Sequence, residues 1–281
     1  MKEYVIDGFK LKLNDNHMLA EYQRQFPMYD RFVPYLGKIA DMFNNGGESL
    51  ILDIGANVGD TVAAFIKHTK AHAVCVEPTD LFFDLCKENV QNFGGAYKKR
   101  ITLVKAYISS DMNVNFTSEI SQGTAKKVEN NHTGGGMTPT YSIPYLMEKI
   151  GKPMECLNVV KVDTDGYDAD CIVSFGENLS RLSPVLYWEN QLETPEQTQK
   201  YLNLADYLYS SGYRAFYVFD NFGNYLLRTD ADGLKDFNLY LWRMLRGASG
   251  RTFYYTDVLA TKPDRLSMAD IAVKEYISKY T

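Results

Sequence analysis

The chain has 281 residues, enough for one large α/β domain or one domain with sizeable insertions. Its 45% apolar and 23% charged content is ordinary for a globular protein, and a net charge of −5 argues against a nucleic-acid partner held on a broad basic face. No window approaches eighteen consecutive apolar residues, so no membrane span is expected.

Residues 1–48 read as an N-terminal helical extension or lid, with a helix from Pro34 to Phe43 that ends at Asn45-Gly46-Gly47. From residue 49 short apolar runs alternate with helical patterns. Ser49–Ile54 is expected as a buried strand, Gly59–Lys70 as a helix, Ala73–Val76 as a strand, Asp80–Phe93 as a helix and Ile101–Ile108 as a third strand. Leu157–Val162 and Val185–Trp188 follow as strands, then a helix over Glu196–Ser211 stopped by Gly212, then strands Ala215–Phe219 and Phe253–Ala260. Alternation at this pace means βαβ units and a doubly wound, mostly parallel seven-stranded α/β sheet over residues 49–265. Strands buried on both faces explain the continuous apolar runs.

Two insertions interrupt the pattern, at 109–156 and 220–252. The first holds Gly134-Gly135-Gly136 in an expected loop, then a helix near Ile143–Ile150. The second holds a Gly223-Asn224 turn and a helix near Leu234–Leu245. Insertions at strand ends commonly build substrate pockets. Residues 266–281 close the chain as a helix, its amphipathic pattern running over Met268–Tyr280.

The strongest motif is Leu50-Ile51-Leu52-Asp53-Ile54-Gly55-Ala56-Asn57-Val58-Gly59-Asp60-Thr61, an apolar strand running into a glycine turn and a helix. In open α/β sheets ligands bind at the carboxyl ends of strands beside the switch point. Gly55 would let backbone approach a ligand, and Gly59 would permit close helix packing. The spacing is G-x-x-x-G, not the G-x-G-x-x-G that seats a pyrophosphate, and there is no P-loop lysine. Asp53 would repel an anion, so a ligand with a cationic centre fits better. Glu77, in Val76-Glu77-Pro78 at the end of the second strand, can accept hydrogen bonds from ribose hydroxyls. Val159-Val160-Lys161-Val162-Asp163-Thr164-Asp165-Gly166-Tyr167-Asp168 ends the fourth strand in acids; Asp163 is the candidate to face the reacting centre, while Asp165 or Asp168 can cap the following helix.

Together, D-I-G-A-N-V-G-D-T, V-E-P and V-K-V-D-T-D-G-Y-D resemble the FkbM family of class I S-adenosylmethionine-dependent methyltransferases, over roughly residues 48–190. Thr138–Glu148 is similar to the family's segment before its fourth strand, and Asp165 departs from the family's usual Glu. The resemblance implies O-methyl transfer to a hydroxyl, most often of a sugar or glycan, with a small natural product or a protein side chain as other acceptors. It implies that Asp53, Gly55, Ala56, Asn57, Gly59 and Thr61 shape the methionine side of the cofactor pocket, and that Glu77 with Pro78 holds the ribose. Residues from Ala106 to Asp111 would flank the adenine, with Asp111 bonded to its amino group.

A sugar hydroxyl is a poor nucleophile, so a general base or a metal is needed. The candidate bases are Asp163, Glu189 and His132. Asp163, Asp165, Glu189 and Asn190 are oxygen donors suited to Mg²⁺, yet no metal is required and metal-independent turnover is expected. A nicotinamide-dependent oxidoreductase would want the absent dinucleotide loop, although Tyr145 and Lys149 have a suitable spacing. A non-catalytic S-adenosylmethionine-binding module is the remaining alternative. The 21 tyrosines suit sugar ligands and half-buried sheets alike.

Cys75, Cys86, Cys156 and Cys171 form no C-x-x-C pair and read as free buried thiols. Met1–Lys12 lacks a signal-peptide core, so a cytoplasmic location is expected, and the glycosylation match at Asn131-His132-Thr133 counts as chance. Lys98-Lys99-Arg100 reads as a solvated loop before a strand. Oligomeric state is not readable.

Overall fold

The computed structural model describes residues 1–43, 48–121, 124–129, 138–247 and 254–280. Eight strands form the central sheet: β1 (Leu50–Ile54), β2 (His72–Val76), β3 (Ile101–Val104), β4 (Leu157–Val162), β5 (Val185–Gln191), β6 (Ala215–Asp220), β7 (Tyr225–Thr229) and β8 (Tyr255–Thr261). They lie in the order β7-β6-β8-β5-β4-β1-β2-β3. β3, β2, β1, β4 and β5 are mutually parallel, β8 is antiparallel to β5 and β6, and β7 is antiparallel to β6. The expected doubly wound sheet is therefore present, with β7 added at one edge. Strand order reverses between β1 and β4, which opens a crevice at their carboxyl ends.

The strands form where apolar runs can be covered on both sides. Every residue of β1 and β4 is buried, including Asp53 and Lys161. The helices begin where the sequence offers caps: Thr79, Ser142 and Thr194 each accept a hydrogen bond from the N–H three residues on. One face of the sheet is covered by the N-terminal segment, helix Val33–Met42 and the C-terminal helix Leu266–Tyr280. The other is covered by helices Ile143–Lys149, Asp168–Val173, Pro195–Ser210 and Ala231–Gly247. All four cysteines are buried and free. Among the described residues no helix is long and apolar enough to cross a membrane.

The N-terminal region differs from a helical extension. It starts with an antiparallel hairpin, Lys2–Ile6 and Phe9–Leu13, before helices Leu19–Gln25 and Val33–Met42. Leu11 and Leu13 are buried, as the apolar–polar alternation of Phe9–Leu13 requires of a half-buried strand. Asn89, fully buried on helix Asp80–Gln91, ties this hairpin to the glycine loop: its side chain exchanges hydrogen bonds with the Lys12 backbone and donates to the Val58 carbonyl at 2.8 Å.

Other differences are local. The expected strand Ile101–Ile108 splits, because Tyr107–Ile108 leaves the sheet to pair with Thr140–Tyr141. The first insertion carries an antiparallel hairpin, Phe116–Ser121 with Thr124–Glu129. Gly134–Gly136 and Asn131–Thr133 lie outside the described residues. Arg100 is not solvated loop: its guanidinium donates to the carbonyls of Ile66, Thr69 and Ala71, each at 2.8 Å.

Leu11 is completely buried within the core on its face of the sheet. Leu11→Ala is expected to lower the free energy of unfolding by about 2–5 kcal/mol in urea melts, within a single transition. A separate early transition, or no change, would mean that the hairpin is an appendage.

Candidate active site

The carboxyl ends of β1, β2 and β4 meet at the crevice. The loop after β1 is fastened to both neighbours through backbone. Gly55 and Ala56 N–H donate to the Val76 carbonyl at 2.9 and 3.0 Å, and Asp163 N–H donates to the Ile54 carbonyl at 3.0 Å. Gly55 has φ +82°, and a Cβ there would stand 1.8 Å from the Asp163 carbonyl oxygen. The close approach that demands glycine is thus to the end of β4. Gly59, at φ +85°, lets helix Asp80–Gln91 lie against the loop, since a Cβ would meet Cys86 Sγ at 3.1 Å. Asn57 is left-handed as well, at φ 47°, a conformation that Asn tolerates better than most residues.

Glu77 follows β2 and is held by three donors. Its carboxylate accepts from Asn57 N–H and Thr79 N–H, both at 3.0 Å, and from the Thr79 hydroxyl at 2.6 Å. Burial raises its pKa, and these hydrogen bonds oppose the rise. The carboxylate lines a cavity of about 450 Å³.

Lys161 is the one charged residue of β4. The register sets it beside Asp53 on β1. Its ammonium lies 3.5 Å from Asp53, 3.1 Å from Asp163 and 3.2 Å from the Thr61 hydroxyl. Burial alone would pull the ammonium down, but Asp163, Asp53 and Asp60 together hold it well above its usual value. Asp53 is fully buried; burial, reinforced by Asp60 and Asp163 and opposed by Lys161, brings its pKa to about 6.

The N-terminal segment roofs the cavity. His17 Nδ1 accepts from Leu19 N–H at 3.3 Å, and Nε2 lies 3.3 Å from Asn57 Oδ1. With Nδ1 accepting, the neutral ring carries its proton on Nε2 and donates it to Asn57. Phe26 stacks on Phe222 of the β6–β7 turn, with ring centroids 4.4 Å apart.

The far wall comes from β5 and β8. Glu189 is directly opposite Asp257, and both line the cavity. Backbone at Glu189 is pinned: its N–H donates to Asp168 at 3.0 Å, and its carbonyl accepts from the Tyr201 hydroxyl at 2.9 Å. Asp168 also accepts from Thr164 N–H and hydroxyl, so it clips the end of β4 to β5; burial and then Asp163 raise it to about 7. Burial, then Asp163 and Asp165, pushes Glu189 well above the usual carboxylate range. Burial, then Asp30 and Asp163, does the same to Asp257, which also bonds the Tyr187 hydroxyl. Asp30 rises to about 7 through burial beside Asp60 and Asp163.

Of the residues expected from sequence, Gly55, Asn57, Thr61, Glu77, Pro78, Ala106, Asp163 and Glu189 line this single cavity. Asp53, Ala56 and Gly59 stand buried behind its wall. Asp111 does not line it: its side chain is exposed and accepts from Asn113 N–H at 2.9 Å, closing a local turn. His132 lies outside the described residues. Neither Asp165 nor Asp168 caps helix Asp168–Val173, whose N-cap is Tyr167 with no side-chain bond. Asn190 bonds Asn238 at 2.8 Å, away from the cavity. Among the described residues no group of three or more His, Cys, Asp or Glu is placed to hold a metal ion. The Tyr145–Lys149 pair is also remote from the cavity, with the Lys149 ammonium over the Tyr145 ring.

Sequence reasoning missed His17, Asp30, Asp60, Lys161 and Asp257. A lysine inside the apolar run of β4 was a readable signal, and Asp60 directly follows the glycine loop. His17 and Asp30 carry no local signature.

Residues 53–215 match the Methyltransferase FkbM domain. No curated protein matches the chain. Among solved structures the chain is similar to the O-methyltransferase from Bacillus cereus in complex with SAH, at 11% identity over 87% of this chain and 88% of that one, with a TM-score of 0.47. It is also similar to the MTase domain of METTL16, at 10% identity over 92% of this chain and 86% of that one, with a TM-score of 0.46. The family match covers more than half of the chain and contains the glycine loop, Glu77 and the acids after β4. The chain belongs to the FkbM family of class I S-adenosylmethionine-dependent methyltransferases.

Proposed function

We propose that the protein transfers a methyl group from S-adenosylmethionine to a hydroxyl of a carbohydrate. The observation that carries this reading is the continuity of one cavity, from Glu77 past Asp163 to Glu189 and a set of tyrosine and phenylalanine rings.

The residues fit the cofactor. Glu77, fixed by three donors at the end of β2, presents a carboxylate suited to ribose hydroxyls. Asp60 and Asp163 favour a cationic sulfonium and disfavour a pyrophosphate. When bound, S-adenosylmethionine supplies a methyl carbon whose bond to sulfur breaks, leaving its electron pair on sulfur, as the bond to the acceptor oxygen forms.

The protein then supplies alignment, exclusion of water and a proton acceptor. Asp163 is half exposed, and its carboxylate is already taken up by the ion pair with Lys161. Glu189 is buried, its backbone is pinned by Asp168 and Tyr201, and its Oε2 has no hydrogen-bond partner among the described residues. We assign the acceptor hydroxyl's proton to the Glu189 carboxylate, which lines the cavity. Tyr22, Phe26, Tyr29 and Phe222 offer flat faces to the C–H side of a sugar ring, and Gln191 and Asn221 offer amides to its hydroxyls.

Five outcomes are expected. Radiolabelled methyl from S-adenosylmethionine appears as an ether on one member of a glycan panel; label on nitrogen or on no hydroxyl-bearing compound contradicts the proposal. Glu77→Ala weakens cofactor binding by calorimetry at least about tenfold, roughly 1.4 kcal/mol, with little change in kcat at saturating cofactor. Glu189 acts only when ionised and its pKa is raised, so kcat/KM should fall as pH drops through a value above the ordinary glutamate range. Glu189→Gln should flatten that profile and lower kcat by about 10²–10⁴-fold while cofactor affinity holds; an unchanged profile would remove Glu189 as the base. With a carboxylate as base, turnover should continue in EDTA, and loss on chelation would point to a metal.

A further inference from the structure

The acceptor end of the cavity holds more acidic groups than a neutral sugar needs. Antiparallel pairing sets Glu189 and Asp257 directly opposite each other, so both side chains lie on one face. Asp30 reaches the same space from the N-terminal segment. Among the described residues two basic ones line the cavity, and both are engaged: Lys161 between Asp53 and Asp163, and His17 on Asn57. Glu189 lines the cavity yet is only 8% exposed, and its Oε2 is buried without a hydrogen-bond partner among the described residues. Buried carboxylates without a counter-charge are costly, and a cation brought by the ligand offsets that cost. The rings of Phe26 and Phe222 nearby suit a cation as well as a sugar face.

We propose that the acceptor is an amine-bearing sugar, whose ammonium sits between Asp30 and Asp257 and whose neighbouring hydroxyl takes the methyl group. This rests on the carbohydrate O-methyl transfer proposed above and narrows its substrate class. The ammonium has a second consequence. Burial and neighbouring acids favour the protonated form of Glu189, which cannot take a proton. A cation beside it favours the ionised form, so the correct acceptor switches on its own base. A uronic or phosphorylated sugar would instead meet the acids with like charge.

The test measures binding to the full chain saturated with S-adenosylhomocysteine. The probes are methyl hexosides carrying an amine at each ring position in turn, their N-acetyl derivatives, the all-hydroxyl parents and a uronate. At least one amino sugar should bind about tenfold more tightly than its N-acetyl and hydroxyl counterparts, with the uronate weakest. That preference should shrink to about threefold or less in both Asp257→Asn and Asp30→Asn, each folded by its thermal melt and binding S-adenosylhomocysteine as the parent does. Equal binding of N-acetyl and amino sugars, a preference that survives both variants, or no amino sugar binding at millimolar concentration overturns the inference. Methyl transfer to neutral sugars without amine preference leaves the carbohydrate reading standing and removes only this one. Methyl found on nitrogen by mass spectrometry removes both.

Discussion

A lysine buried in a central strand must be paired, and the crevice is arranged around that requirement. Lys161 bridges Asp53 on β1 and Asp163 just past β4, and it touches Thr61 at the start of the next helix. Removing one member of such a set leaves an uncompensated buried charge, which costs about 3–5 kcal/mol. The pairing also fixes register. A one-residue slip of β4 against β1 would turn Lys161 to the opposite face, away from Asp53. The ends of both strands, and hence the glycine loop and Asp163, are therefore set together. Gly55 completes the arrangement, because any larger residue would collide with the Asp163 carbonyl.

The second dependence runs through the N-terminal segment. The family match begins at Asp53, yet the cavity roof is built from residues between His17 and Asp30. Two contacts bind this roof to the loop beneath it. Asn89 joins the hairpin backbone to Val58, and His17 joins the following segment to Asn57. Asn57 in turn donates to Glu77 through its backbone N–H, so roof, loop and the Glu77 carboxylate form one hydrogen-bonded chain.

Most of the sheet was legible because its strands are short, apolar and evenly spaced. The glycine loop, Glu77 and Asp163 were legible because each sits at a strand end, where open α/β sheets bind ligands. The hairpin Phe9–Leu13 was harder to read: five residues of alternation are a weak signal next to a ten-residue helix pattern. Asp111 was placed by analogy with a position after the third strand. That strand breaks at Lys105, and the chain beyond it pairs elsewhere, which turns Asp111 outward. Asp257 was invisible from sequence because its role comes from antiparallel pairing with a strand 68 residues earlier. Asp30 and His17 are similar cases: their chemistry arises only when the N-terminal segment folds over the sheet.

The charge pattern explains why this site can be both costly and selective. Asp53, Asp30 and Asp168 each have a pKa raised by burial, to about 6, 7 and 7. A carboxyl whose folded pKa is raised favours the folded state below its unfolded pKa, and that contribution is lost as pH rises through the folded value. Near neutral pH these carboxyls therefore weaken the fold. A cationic ligand beside Asp30, the one of the three that lines the cavity, would favour its ionised form, and binding to the folded state alone adds stability by mass action. Lys161 cannot play this part, because Asp53 and Asp163 already hold it. Among the described residues the cavity lining thus holds more acids than bases, and acids in their ionised form repel anions that would otherwise compete for it.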